Sequence, residues 1–598
     1  MSDQTQVRNP DRKRLRTLFG FLKEHSRDQY SKIALGLVLT LIYVAGTMLH
    51  PYVTGLIIDQ PRRAQIQLTV PQLILIFIGV YCFNQAIQAV KNVLFAHIAA
   101  RICENLQNAL FRHLQRLPLR YYENMPAGSV VSRVMGDTGA VGQLYESFLS
   151  NVLSVTIQIV SIFIAMASSN WILMIICLVT SLPTLFILRY YLRKTGILRQ
   201  RERRALAEFS GKYTESIHGA DIITVLNQRQ YKMAELDEVN DRMTEISLSS
   251  NRLEANYSWP FYGAMEFISK FMGLLYFGIA ILFFKIDLSY TLLYVFLSYS
   301  GNIIREINNL SYRLYELQRA LAAADHLGEI FDEEAETHTS ETLAPLQGEI
   351  EFRNIHFAYV EGEEVLQNVS LKIHSGETVA FVGRTGSGKS SMTQILYDFY
   401  QPQSGEILID GRSIKDYPIY SLREQMAIVL QDPFIFNASV RENISLGNPK
   451  ISDEDCWQAL ETVGADSLLE AIHGDLDYQL RGNGQSLSAG ERQLLSFARA
   501  LAHQPRILIL DEATSSVDTN TEFRIREAMY RLAEGRTMIV IAHRLSTIRN
   551  ADQIYVFDHG KIVQQGCHEE LVAVDGIYRE MARQQELLEE SGRQASRV

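Results

Sequence analysis

The chain has 598 residues, 47% of them hydrophobic and 21% charged, with a formal net charge of −10. That length exceeds what one hydrophobic core supports, so at least two domains are expected. The acidic balance and the lack of a basic tract with interleaved aromatics exclude nucleic acid as a partner.

Met1 to Lys32 is polar and lacks the apolar segment of a signal peptide. Within it, Arg12 to Lys32 mixes basic residues with Leu15, Leu18, Phe19 and Leu22 at helical spacing. Residues 1–32 therefore read as an interfacial segment, or as an ordinary amphipathic helix packed on protein.

Residues 33–331 read as a transmembrane domain. Six apolar stretches, 33–58, 73–99, 148–169, 171–188, 257–284 and 288–308, suit bilayer spans, for which about 20 residues suffice. Spans one–two, three–four and five–six are joined by short turns, the tightest at Ser169-Asn170. The connectors Arg101 to Tyr145 and Arg189 to Asn256 are long, helical in pattern and rich in Arg and Lys. The positive-inside rule places these connectors and both termini in the cytosol.

Two interruptions, Glu123 to Gly128 and Ser216 to Asp221, predict short crosswise helices at the cytosolic tips, able to touch another domain. Inside the spans, Glu266 and Lys270 stand one helical turn apart. With Asn302 and Arg305 they are candidates for a substrate path; the alternatives are a structural ion pair and a span ending at the headgroups. The five cysteines (Cys82, Cys103, Cys177, Cys456, Cys567) form no C-x-x-C pair and read as small buried hydrophobes.

The acidic, patternless stretch Asp332 to Thr342 opens a linker over 332–347. Residues 348–583 alternate strand and helix patterns, and 584–598 is a polar tail. Gly383-Arg384-Thr385-Gly386-Ser387-Gly388-Lys389-Ser390 fits the phosphate-loop pattern, between the strand Thr378 to Val382 and a helix Ser391 to Phe399. Its backbone N–H groups suit phosphate oxygens; Lys389 suits the β- and γ-phosphates and Ser390 a Mg²⁺ ion. Arg506 to Glu512 is an apolar strand ending in two acids. Asp511 suits Mg²⁺ through water, and Glu512 suits orienting or deprotonating an attacking water. Ile539 to His543 is a second apolar strand, ending in one polar residue; His543 suits a contact with the γ-phosphate, the alternative being a structural role.

These motifs together resemble an ATP-binding cassette exporter half-transporter: a six-span helical membrane domain with long cytosolic extensions, fused to one α/β phosphate-loop domain. The resemblance covers nearly the whole chain. It implies that Tyr359 stacks on adenine and that Gln431 links Mg²⁺ to the membrane domain. It makes Leu487-Ser488-Ala489-Gly490-Glu491 the signature, with Ser488 and Gly490 facing nucleotide. Asp518 then belongs to the D-loop, His543 is the switch histidine, and Ser391 completes the ATP-binding set.

The family works as a dimer, each ATP lying between one chain's phosphate loop and the other's signature. Two departures stand out. Ala489 and Glu491 replace Gly and Gln in the signature, and Arg481-Gly482-Asn483-Gly484 stands where exporters usually show G-E-R-G. An intact catalytic half beside an altered signature resembles one subunit of heterodimeric bacterial multidrug exporters. A homodimer tolerating Glu491 is the alternative.

The resulting expectation is ATP-driven export of lipophilic or amphipathic compounds by alternating access, in a prokaryotic cell membrane. The cofactors are ATP and Mg²⁺, and the partners are a second half-transporter chain and membrane lipids. A homodimeric lipid or peptide exporter and an ATP-gated channel are the other readings.

Overall fold

The computed structural model describes residues 20, 26–59, 69–123, 125, 127–253, 255–256, 259–286, 288–336, 343–360, 362–511, 519–541 and 548–584. Glu512, Asp518 and His543 lie outside the described residues, as do most of the N-terminal segment, the linker centre 337–342 and the tail from 585. The chain forms two compact units. The first comprises Met1–Leu117 and Met125–Ala335, the second Pro118–Asn124 and Glu336–Val598.

The first unit is helical: α1 (Tyr30–Asp59), α2 (Val70–Leu114), then, beyond the short α3 (Leu119–Glu123) of the second unit, α4 (Ala127–Ser132), α5 (Thr138–Ser147), α6 (Leu153–Ser169) and α7 (Trp171–His218). It continues with α8 (Ala220–Val225), α9 (Arg229–Leu253), α10 (Trp259–Leu282) and α11 (Tyr290–Asp332). Among the described residues, five helical stretches are long and apolar enough to cross a membrane: Arg27–Asp59, Val70–Leu114, Gly128–Ser169, Trp171–His218 and Pro260–Leu282. Helix α11 is not among them, because Asn302, Arg305 and Glu306 interrupt its apolar stretch.

In α2 and α7, span and extension form a single helix. With 45 and 48 residues, α2 and α7 each run about 70 Å at the α-helical rise. The turn at Asn170 is a side-chain cap: its Oδ1 accepts from the N–H groups of Ile172 (3.0 Å) and Leu173 (3.3 Å) and starts α7. At the other end α7 runs to His218, past the interruption expected from Ser216. Only Gly219, at φ −90° and ψ 13°, breaks the helix before α8.

The α10–α11 contact depends on glycine. A Cβ on Gly273 would sit 1.9 Å from the Phe296 ring, and one on Gly301 would sit 2.9 Å from Glu266 Oε1. Glu266 therefore meets α11 at Gly301, and Lys270 Nζ pairs with it at 2.5 Å. One turn further on, Arg305 donates to Asn302 Oδ1 at 3.1 Å. Glu266 and Lys270 thus sit where α10 meets α11, while Asn302 and Arg305 bond to each other next along α11.

Charge holds α7 to α9 outside the spans. Glu235 accepts from Lys212 at 2.6 Å and from Lys232 at 2.9 Å. The hydrogen bond from Lys212, then that from Lys232, pulls its carboxyl down to about 2. A lowered carboxylate pKa stabilises the fold fully above its ordinary value of about 4.3 and is lost as pH falls toward 2. At pH 7, Glu235→Gln is expected to speed amide exchange at the end of this hairpin by about twofold, less at high salt. At pH 2 the difference should vanish, and exchange mass spectrometry reads both.

The second unit holds two sheets. A four-stranded antiparallel sheet has the order β2 (Glu364–Ile373), β1 (Ile350–Ala358), β4 (Ser404–Ile409), β5 (Arg412–Ser413). A six-stranded sheet has the order β10 (Lys561–Gly566), β9 (Gln553–Asp558), β3 (Thr378–Gly383), β8 (Thr537–Ile541), β7 (Ile507–Asp511), β6 (Met426–Val429). Its β6, β7, β8, β3 and β9 run parallel; β10 is antiparallel. Central strands of a parallel sheet are covered on both faces and read as continuous apolar runs. Val379 to Val382 and Ile507 to Leu510 fit this, each at most 2% exposed.

Candidate nucleotide site

Parallel strands bring their carboxyl ends to one edge of the sheet, which is where α/β folds bind ligands. Here β3, β6, β7 and β8 converge on a cavity of about 590 Å³. Its lining includes Tyr359, Thr385, Gly386, Gly388, Lys389, Ser390 and Ser391, with Gln431 after β6, Asp511 ending β7 and Ile541 ending β8. Register explains the gathering, since Ile541 pairs with both Phe381 and Asp511. Residues about 150 positions apart in sequence (Lys389 to Asp511 to Ile541) are therefore neighbours at one sheet edge.

The loop between β3 and α12 (Lys389–Leu396) requires glycine at two places. Gly383 has φ 152°, and a Cβ there would lie 2.2 Å from the Phe557 carbonyl oxygen. Gly388 has φ 101°, with Leu366 Cδ2 at 2.6 Å from an added Cβ. Between them, Arg384, Thr385 and Gly386 are exposed. Lys389 is 5% exposed and donates to the carbonyl oxygens of Gly383 and Arg384, both at 3.0 Å.

Ser387 is 3% exposed, and its Oγ has no hydrogen-bond partner among the described residues. An orphaned buried hydroxyl is costly unless a ligand uses it. An anion seated on the loop gives it an acceptor, so the residues fit a phosphate. Ser390, Asp511 and Gln431 bring a hydroxyl, a carboxylate and an amide oxygen to the same lining, donors of the type that suits a hard cation.

Tyr359 closes one side. Its hydroxyl bonds Ser391 Oγ at 3.0 Å and Gln394 Oε1, while the rings of Phe357 (4.7 Å) and Tyr400 (5.0 Å) meet it edge-on. Burial pushes the Tyr359 hydroxyl above its ordinary range, the Ser391 bond opposes this, and Glu123 adds to it. Gln394 and Tyr400 were not predicted from sequence. The available signal was the spacing of Ser391 and Gln394, which puts both on one face of α12.

The segment expected as a signature starts α14, once α13 (Val440–Ser445) has been passed; α14 spans Ala489–Ala502. Ser488 is its N-cap, and Gly490 is buried in its first turn. Glu491 folds back: its Oε2 accepts the Ser488 N–H at 2.7 Å, while Ser488 Oγ accepts the Glu491 N–H at 3.2 Å. Glu491 is thus the third residue of a capping box. Just before it, Asn483 (φ 56°) sits in a short 3₁₀ turn and donates its N–H to Asn437 Oδ1 at 2.9 Å.

Known proteins are similar to this chain in sequence and in fold. Residues 33–307 match the family described as "ABC transporter transmembrane region", and residues 366–515 match the family described as "ABC transporter". The chain is 38% identical over 514 residues to the probable multidrug resistance ABC transporter ATP-binding/permease protein YheH of Bacillus subtilis (strain 168), covering 85% of this chain and 76% of that one. It is 30% identical to the ATP-dependent lipid A-core flippase of Syntrophus aciditrophicus (strain SB), covering 94% and 93%. A solved structure of a bacterial Atm1-family ABC exporter with ATP bound shares the fold, with a TM-score of 0.80 at 24% identity, over 93% of this chain and 99% of that one.

Proposed function

Since the chain belongs to the ABC transporter family, as an exporter half-transporter that couples ATP hydrolysis to transport, we propose that it is one half of a heterodimeric multidrug-type pump. The observation that carries this reading is the Glu491 carboxylate capping the N-terminus of α14. A glutamine cap would satisfy the same Ser488 N–H without charge. Glutamate puts a full negative charge where a partner's bound phosphates would approach, and like charges at that range repel. This chain's own phosphate loop carries no such fault. The two ATP sites of the dimer are therefore unequal, with this loop in the competent one.

Exposed apolar residues support a partner chain. At the tip between α7 and α9, Val225 is 83% exposed, beside the exposed Ile222 and Leu226. Lone exposed apolar residues are ordinary, but a cluster at a helical tip marks an interaction surface.

In the competent site, loop N–H groups and Lys389 hold the β- and γ-phosphates. Ser390 and Gln431, with Asp511 through water, would hold Mg²⁺, which would neutralise phosphate charge. Glu512 takes the proton of the attacking water, and His543 orients the γ-phosphate. Tyr359 stacks on adenine. ATP favours closure of the two phosphate-loop domains because it binds the closed state better, and the membrane cavity changes access with it. The transported molecules are lipophilic or amphipathic, and Glu266, Lys270, Asn302 and Arg305 border their path. The Arg- and Lys-rich connectors put both termini on the cytoplasmic face of the cell membrane.

Purification decides the stoichiometry. The chain alone is expected to show little ATPase activity, restored by co-expression with a homologous half-transporter and stimulated by substrates in membranes. Robust activity of the chain alone, abolished by Glu512→Gln, would instead identify a homodimer.

A further inference from the structure

We infer that Glu123 is a positioning residue for nucleotide binding, acting through Tyr400 on Tyr359. The inference rests on Tyr359 as the adenine platform. It concerns what holds that platform in place.

Glu123 ends the short helix α3, which belongs to the second unit although the chain on both sides of it belongs to the first. Its carboxylate accepts a hydrogen bond from the Tyr400 hydroxyl. The Tyr400 ring stands at 87° to the Tyr359 ring, with centroids 5.0 Å apart. It also meets Phe357 at 5.8 Å. Edge-on packing of this kind depends on ring orientation, so a Tyr400 free to rotate would no longer fix Tyr359.

The opposite edge of Tyr359 is tied to α12 through Ser391 and Gln394, while the residue remains 45% exposed toward the cavity. Tyr359 is thus held from two directions. One hold comes from the helix that follows the phosphate loop. The other comes from a carboxylate on a segment continuous in sequence with the membrane helices. A bond to a carboxylate is stronger than one between neutral groups, which suits a fixed support. By reciprocity, a base stacked on Tyr359 tightens the seating of α3 as much as that seating favours the base.

Equilibrium binding of ATP and of inorganic pyrophosphate to the full-length chain in detergent tests this without requiring hydrolysis. Tyr400→Phe and Glu123→Ala are each expected to weaken ATP binding about three- to tenfold, the double variant no more than either. Glu123→Gln retains an acceptor oxygen and should stay within about twofold of the parent. Pyrophosphate, which engages only the phosphate loop, should bind all variants alike.

Unchanged ATP affinity in Tyr400→Phe and Glu123→Ala would overturn the inference. So would equal losses for pyrophosphate, or a Glu123→Gln variant as weak as Glu123→Ala. Tyr359→Ala separates the two levels. If it leaves ATP binding intact, the platform reading falls. If it weakens binding while Tyr400→Phe does not, only the role of Glu123 falls.

Discussion

Lys389→Ala is expected to lower ATP hydrolysis by at least about a hundredfold, measured as phosphate release from the assembled transporter in membranes. The geometry concentrates the effect in one ammonium. Lys389 opens α12, and its 5% exposure confines the side chain to the loop. Its hydrogen bonds to the carbonyls of Gly383 and Arg384 hold the charge beside the backbone N–H groups that would meet phosphate. Arg384 is exposed and cannot take over from a buried position. Arginine at 389 should not rescue, because a planar fork does not fit a seat built for a compact ammonium. The fold should survive, since the apolar interior of β3 is untouched. A Lys389→Ala protein that hydrolyses ATP at near-parental rate would remove the loop from the reaction.

That prediction draws on a site largely legible in the sequence. The phosphate-loop spacing and the acid at the end of β7 are local patterns, and local patterns survive without coordinates. Glu491 shows the limit. Read against a family motif it is only a departure; Ser488 and Glu491 three residues apart also spell a capping box, and the structure shows the bonds made. Span ends were illegible for another reason. Helices α2 and α7 leave the apolar stretch without a cap or break, so nothing local marks the boundary. Glu123, Tyr400 and Tyr359 lie too far apart in sequence for any periodicity to relate them; only the fold does.

A second large effect is expected in stability, at Asn443. This residue on α13 is fully buried. Its Nδ2 donates to the carbonyls of Phe436 (3.0 Å), Ser439 (3.0 Å) and Ala438 (3.4 Å), and its Oδ1 accepts from the Phe436 N–H at 2.9 Å. One amide therefore shapes the loop that follows Gln431. Arg499, from α14, binds the same node: its Nε donates to the Asn443 carbonyl at 2.7 Å, its Nη2 to Asn443 Oδ1 at 3.2 Å and its Nη1 to the Phe434 carbonyl at 3.1 Å. Burial pushes Arg499 below its ordinary range; the guanidinium stays charged, so its desolvated N–H groups need these acceptors.

Asn443→Leu keeps the number and branching of side-chain heavy atoms but strands the Phe436 N–H and removes an acceptor of Arg499, while the Phe436, Ala438 and Ser439 carbonyls keep backbone donors. At 1–3 kcal/mol for each unsatisfied group, relaxation included, the loss should be roughly 3 kcal/mol. Scanning calorimetry should show the Tm of the second unit falling by roughly 6–12 °C. Arg499→Ala should cost a similar amount and Arg499→Lys less, since an ammonium keeps the charge but not the three-way fork. The double variant Asn443→Leu/Arg499→Ala should lose less than the two single losses added, because the Oδ1–Nη2 bond is counted in both. Strict additivity would mean that Asn443 and Arg499 support separate parts of the fold. Sub-additivity would mean that one node joins the loop after Gln431 to the helix that begins at Ser488.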